Sequence, residues 1–166
     1  MVKSYYKPEP HVLGWLRAFI LPSDRILDVG SGDGRHRDIG GAGYWSLDCW
    51  PPAEPDYLVD LEKKGLPRNR KFDVILMVDL LEHLPKERGL EILAQAQKLA
   101  NRAVVVYTPL KWDDNRMAYD EQGGFYQGND HVLHKSLWDL RDFWPGWVRV
   151  WLPSTLDGFF GYWVKS

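Results

Sequence analysis

Three glycines within five residues, Gly30, Gly32 and Gly34, follow an apolar run and stand just behind a carboxylate, Asp28. Glycine lets a backbone take positive φ and lets a ligand approach where a Cβ would collide. The stretch RILDVGSGDGRH, residues 25–36, therefore reads as a strand entering a ligand-binding turn. Its spacing is GxGxG, with Arg35 where a GxGxxG dinucleotide fingerprint has its last glycine. That glycine serves close packing of helix on strand, so its replacement weakens the dinucleotide reading. A second carboxylate, Asp48, closes the next strand-like run 20 residues after Asp28, the distance at which an acid can accept hydrogen bonds from ribose hydroxyls. A negative charge ahead of the glycines repels a pyrophosphate and suits a cation. The pair thus favours a nucleoside that carries positive charge, and S-adenosylmethionine, with its sulfonium, amino group and ribose, fits that description. Two plainer roles stay open on the residues alone: Asp28 as a cap for the turn's N–H groups, and Asp48 as a solvated strand end.

Further along lie side chains able to move a proton. Histidine titrates nearest neutral pH, so His83, His131 and His134 are the candidates for deprotonating an acceptor hydroxyl or amine. Glu82 and His83 sit closest in sequence to the strand that delivers Asp79. Their competing role is to cap or orient the next helix, and for His134 it is packing beside Trp138. Trp112, Phe125 and Tyr126 fall in a polar segment, 111–130, with three glycines, and are placed to face an apolar or sugar-like acceptor or else to pack in the core. Tyr5 and Tyr6 are candidates for a lid over the cofactor. No metal site is expected.

These groups need a scaffold, and the apolar patterning predicts one. Residues 11–20 carry Val12, Leu13, Leu16, Phe19 and Ile20 at helical spacing, closed by Pro22. Strands are predicted at 25–29, from Tyr44 onward and at 56–59, with a helix between the first two. The run KFDVILMVDL has the continuous hydrophobicity of a central parallel strand. A helix follows from Pro85 with the stripe Leu90, Leu93, Ala96, Leu99 and Ala100. RAVVVYTPL reads as another buried strand, 111–130 as a long loop, 134–143 as a helix, and VRVWLP and FFGYWVKS as two closing strands, paired across 154–158.

The motifs together resemble the class I, Rossmann-like S-adenosylmethionine-dependent methyltransferases. ILDVGSGDG is similar to that family's first motif, WSLDCW to its second, and DYLVDLEKKGLP to the segment that meets the adenine. FDVILMVDLLEHLP and the late His-x-x-x-Trp, His134 to Trp138, resemble the small-molecule branch. The likeness spans roughly 25–143. It implies a three-layer αβα sandwich, α/β in class, whose seven-strand, mostly parallel sheet has the order 3-2-1-4-5-7-6 with strand 7 antiparallel. It also implies that Gly30, Ser31, Gly32 and Gly34 lie under the methionine portion, with Asp28 turned toward its amino group. By the same likeness Asp48 and Cys49 lie at the ribose, Asp60 and Leu61 at the adenine, and Asp79 near the methionine end. The implied activity is in-line methyl transfer to a small-molecule or glycan-type acceptor. Two departures bear on this: 36–43 is a short, glycine-rich place for the first helix, and no extra segment supplies substrate identity.

Size and charge narrow the rest. With 166 residues and 45% hydrophobic content the chain fits one domain with one core. A net charge of -2 gives no general attraction for a polyanion, and DLLEHLP stands where many RNA-directed relatives carry an Asn/Asp-Pro-Pro-Tyr/Phe motif, so no nucleic acid partner is expected. The one cysteine, Cys49, cannot form an internal disulfide, and no run approaches the ~18 apolar residues of a membrane span. A soluble protein of the reducing cytosol is expected, monomeric or homodimeric through exposed tryptophans among 144, 147, 151 and 163. Two alternatives accompany the methyltransferase reading: a binding protein that keeps the cofactor pocket without turnover, and an RNA or protein methyltransferase.

Overall fold

The computed structural model describes residues 10–166; Tyr5 and Tyr6 lie outside the described residues. Ten elements carry the fold: α1 (Pro10–Phe19), β1 (Arg25–Val29), β2 (Gly43–Asp48), β3 (Tyr57–Leu58), β4 (Phe72–Val78), α2 (Lys86–Leu99), β5 (Ala100–Pro109), α3 (Arg116–Asp120), β6 (Trp147–Arg149) and β7 (Gly158–Val164). The strands form one sheet in the order β3-β2-β1-β4-β5-β7-β6. The first five run parallel, and β7 is antiparallel to both β5 and β6. This is the implied α/β topology.

Strand alternation divides the core between the two faces. Val74 and Leu76 of β4 pack with Val12 and Leu16 of α1 on one side, together with Ile26, Val105 and Phe160. Ile75 and Met77 point the other way, into a cluster with Leu27, Val104, Ile92 and Leu93 of α2, Trp138 and Phe143. Both faces of β4 are dry, as its unbroken apolar run requires. The sheet is thus packed on both faces beneath the carboxyl ends that must hold a site.

Several expected elements take another form. No helix lies between β1 and β2; residues 31–41 make turns and bends. Five glycines in 30–41 adopt positive φ, a conformation that breaks a helix. At Gly41 this is a packing requirement as well, since a Cβ would sit 2.6 Å from the Asp24 carbonyl oxygen. Ile39 and His36, 2% and 3% exposed, fill the space instead. The helix expected over 134–143 reduces to a single 3-10 turn, Leu140–Phe143, capped by Asp139 and Asp142. Its upstream part is extended because Lys135 and Ser136 give their backbone N–H groups to the Glu82 carbonyl, 2.7 and 3.1 Å away. β3 shrinks to two residues; just before it, the Asp56 carboxylate takes the Ser46 backbone N–H in place of a ladder carbonyl, and the Ser46 hydroxyl as well. The segment 111–130 carries the short α3, and β6 covers only three residues. Among the described residues no helix is long and apolar enough to cross a membrane.

Candidate functional site

A cavity of about 260 Å³ opens at the carboxyl ends of β1, β2 and β4, where the strand order reverses and open α/β sheets bind ligands. It gathers Gly30, Gly32, Asp48, Cys49, Asp60, Leu61, Asp79, Glu82, His83, Tyr126, His131 and His134. Asp28, Ser31, Gly34 and Trp112 do not line it.

The first wall is made of backbone. The N–H groups of Gly30 and Ser31 reach across to the Leu47 carbonyl at 2.8 and 3.1 Å, folding the glycine turn against the end of β2. The Asp48 carboxylate then accepts from Gly32 N at 2.9 Å and from Trp50 N at 2.8 Å. Gly32 has φ +50°, and a Cβ there would lie 2.2 Å from the Tyr126 hydroxyl; the bare backbone is what lets Tyr126 cover the turn. Burial raises the Asp48 pKa, against the pull of the Trp50 and Gly32 amides. Burial, helped by Asp48, pushes the neighbouring Cys49 thiol up to about 12, so it stays protonated and unreactive. Ser31 and Gly34 shape the turn from behind through a 2.9 Å bond from Gly34 N to the Ser31 carbonyl.

Asp28 lies beneath this wall instead of on it. At 1% exposure its Oδ2 accepts from the Tyr44 hydroxyl at 2.5 Å and stands 3.1 Å from His36 Nδ1, while Oδ1 is buried with no hydrogen bond. Burial and the Asp28 charge hold the Tyr44 proton in place. His36 and Tyr44 gave no signal in the sequence, because each is chemically ordinary until the fold places it beside Asp28.

Next to that wall, Asp60 and Leu61 are steadied from α2: Arg88 Nε donates to the Leu61 carbonyl at 2.6 Å. Lys63, 2.8 Å from Asp60, holds its carboxyl below the ordinary range. Leu61 is 5% exposed and adds apolar surface beside Leu47 and Val59.

The far wall is made of side chains. Asp79 takes φ +53° at the end of β4, and burial raises its pKa even though Arg35 Nη1 lies 3.9 Å away. Arg35 also bonds Asp33 at 3.2 Å and lines the cavity. The sequence had marked that position only as a lost glycine. Glu82, 2% exposed, accepts from the Thr108 hydroxyl at 2.9 Å; burial and then the Asp79 charge hold its pKa well above the usual range. Burial lowers His83 to about 3 and also depresses His134, and the two rings meet edge to face at 4.8 Å. Ligand atoms of Glu82, His83 and His134 lie within 4.8 Å of one another, as do those of Asp60, Glu62 and His131. Trp112 is 58% exposed and outside the cavity. Tyr126 is inside, and Trp50 Nε1 holds its neighbour Phe125 by the carbonyl at 3.2 Å.

No protein-family model matches the sequence, and no curated protein is significantly similar to it. Solved structures are similar in fold. Magnesium protoporphyrin IX methyltransferase (ChlM) from Synechocystis PCC 6803, with bound SAM, superposes with a TM-score of 0.61 at 18% identity over 93% of this chain and 76% of that one. A Rhodobacter sphaeroides protein provisionally named a Zn-dependent alcohol dehydrogenase gives 0.63 at 13% identity over 96% and 91%. The small RNA methyltransferase HEN1 gives 0.61 at 13% identity, over 100% of this chain and 26% of the other. Sheet order, strand directions and the superpositions on ChlM and HEN1 agree: the chain has the seven-stranded, Rossmann-like fold of those two methyltransferases.

Proposed function

We propose that the protein is an S-adenosylmethionine-dependent methyltransferase acting on a small-molecule or glycan-type acceptor. The observation that carries this reading is the bond from Gly32 N to the Asp48 carboxylate at the mouth of the cavity. It fixes an acid at the tip of β2 and leaves bare glycine backbone beside it. The Asp48 oxygens keep lone-pair capacity beyond the backbone N–H groups they accept, available to ribose hydroxyls. Leu47, Val59 and Leu61 supply an apolar slot for the adenine. Asp79 suits the amino group and Arg35 the carboxylate of the methionine portion, as a forked donor and an acceptor side by side. Asp28, behind the turn, acts on the ligand only through the shape of that turn. The missing helix after β1 also counts against a dinucleotide, whose pyrophosphate rests on a helix N-terminus.

When bound, the cofactor supplies a methyl group already activated on a sulfonium. The chain's task is then alignment and exclusion of water. Tyr126 covers the glycine turn, and the late segment around His134 closes the acceptor side. The expected pair offers no strong general base, because burial weakens His83 as a base and disfavours the charged form of Glu82. This last observation favours, as a second reading, a protein that binds the cofactor without turnover.

Incubating the protein with methyl-labelled S-adenosylmethionine and a cell extract, fractionated into metabolites, RNA and protein, separates the readings. Label in the metabolite fraction is expected. Label in RNA or protein would move the acceptor to another class, and none, with the cofactor bound, would leave the non-catalytic reading.

A further inference from the structure

We propose that Glu82, His83 and His134 form a binding site for one divalent first-row transition-metal ion in the far wall of the cavity. Their ligand atoms already lie within 4.8 Å of one another. Two atoms bound to one ion at about 2.1 Å stand about 3 to 4 Å apart, so small side-chain rotations close the site. The grouping is built by the backbone. Glu82 and His83 occupy the 3-10 turn Leu81–His83 directly after β4, and the Glu82 carbonyl captures the N–H groups of Lys135 and Ser136, which deliver His134.

The chemistry of the donors points the same way. His83 Nδ1 is buried and makes no hydrogen bond, an unfavourable state for a buried polar atom unless something binds there. Thr108 orients the Glu82 carboxylate from behind at 2.9 Å, as an outer hydrogen bond does for a metal-bound acid. Asp79 adds a second acid nearby, and its charge acts on Glu82. The contrasting cluster, Asp60, Glu62 and His131, is already neutralised: Lys63 stands 2.8 Å from Asp60, and Lys135 pairs with Glu62. Its carboxylates thus have less to offer a cation. Two imidazoles and one carboxylate suit Zn²⁺, Mn²⁺, Fe²⁺ or Co²⁺ and leave coordination positions for a ligand. Here these positions face the cavity. A hydroxyl-bearing acceptor bound there would lose its proton more readily.

The inference rests on the cavity's side chains and not on the methyl-donor reading, and one set of titrations scores both. Metal-stripped full-length protein is titrated with Zn²⁺ by calorimetry and with Co²⁺ by visible absorption, and each variant is also titrated with S-adenosylhomocysteine. One equivalent of Zn²⁺ should bind with micromolar or tighter affinity, with ligand-field bands from Co²⁺. His134→Ala and Glu82→Gln should each weaken Zn²⁺ more than roughly tenfold, while His131→Ala leaves it unchanged. S-adenosylhomocysteine should still bind His134→Ala. If a variant fails to fold, the wild-type melting temperature with and without Zn²⁺ decides, since a ligand of the native state raises it. Absence of Zn²⁺ and Co²⁺ binding at millimolar concentration, or loss of binding in His131→Ala alone, would overturn the proposal whatever the nucleoside does.

Discussion

The two walls of the cavity both present carboxylates but hold them in different ways. On the β1–β2 wall the acid is fixed by main chain: Asp48 takes the N–H groups of Gly32 and Trp50, and the glycine turn is bonded to Leu47. On the wall behind β4, Glu82 is fixed by the side chain of Thr108, and its partner His134 arrives from a distant, largely irregular segment anchored by Trp138. The first arrangement depends on neighbours in sequence and on two parallel strands. The second depends on tertiary packing. A wall of amides offers fixed donors to a ligand of one shape, whereas the other wall combines one buried acid with half-buried imidazoles and a half-buried Asp79. The molecule places its geometric precision on one side and its chemistry on the other.

If the walls are separable, the largest effect should come from Trp138→Ala. Trp138 is 1% exposed, donates from Nε1 to Ser136 at 3.0 Å, lies under Lys86 and packs near Phe143. Its loss should cost about 3–5 kcal/mol in urea unfolding, yet the folded fraction should bind S-adenosylhomocysteine within a few-fold of wild type. Equal loss of both would show that the walls form one unit. Thr108→Val keeps shape but strips Glu82 of its hydrogen bond. A destabilisation of about 1–2 kcal/mol is expected, again with the nucleoside affinity unmoved; a neutral result would remove Thr108 from the support of that wall.

A smaller, pH-dependent effect should sharpen the contrast. His83 titrates at about 3 in the fold against a reference of 6.5. Between those values the unfolded chain binds the extra proton and the folded one does not, so the stability tied to a neutral His83 is complete above 6.5 and lost as pH falls toward 3. His83→Asn should flatten the acid limb of a melting-temperature profile over that window. An unchanged slope would mean His83 is not held neutral.

The same division decides what could be read from the sequence. That Gly30, Gly32, Asp48, Asp60 and Leu61 meet at one cavity was legible because their placement follows from local order: strand, glycine turn, acid at the next strand end. Val74 to Val78 announced the central strand for the same reason. The helix expected after β1 failed because five positive-φ glycines outweigh the usual crossover. The helix expected over 134–143 failed because the Glu82 carbonyl, far away in sequence, claims its first amides. Asp28 was given a ligand-facing role because nothing local shows that Tyr44 and His36 enclose it. Arg35 was visible only as an absent glycine; its value as a cation beside Asp79 appears once the turn is folded.

The central claim is that the β1–β2 wall holds a cationic nucleoside through Asp48. Calorimetry with S-adenosylhomocysteine tests it most directly, run on the wild type and Asp48→Ala with NAD as the competitor ligand. Micromolar binding to the wild type is expected, weakened by about 2 kcal/mol, roughly thirty-fold, in the variant through lost charge-assisted hydrogen bonds, with no response to NAD. Unchanged affinity in Asp48→Ala, or micromolar NAD without the nucleoside, would contradict the account.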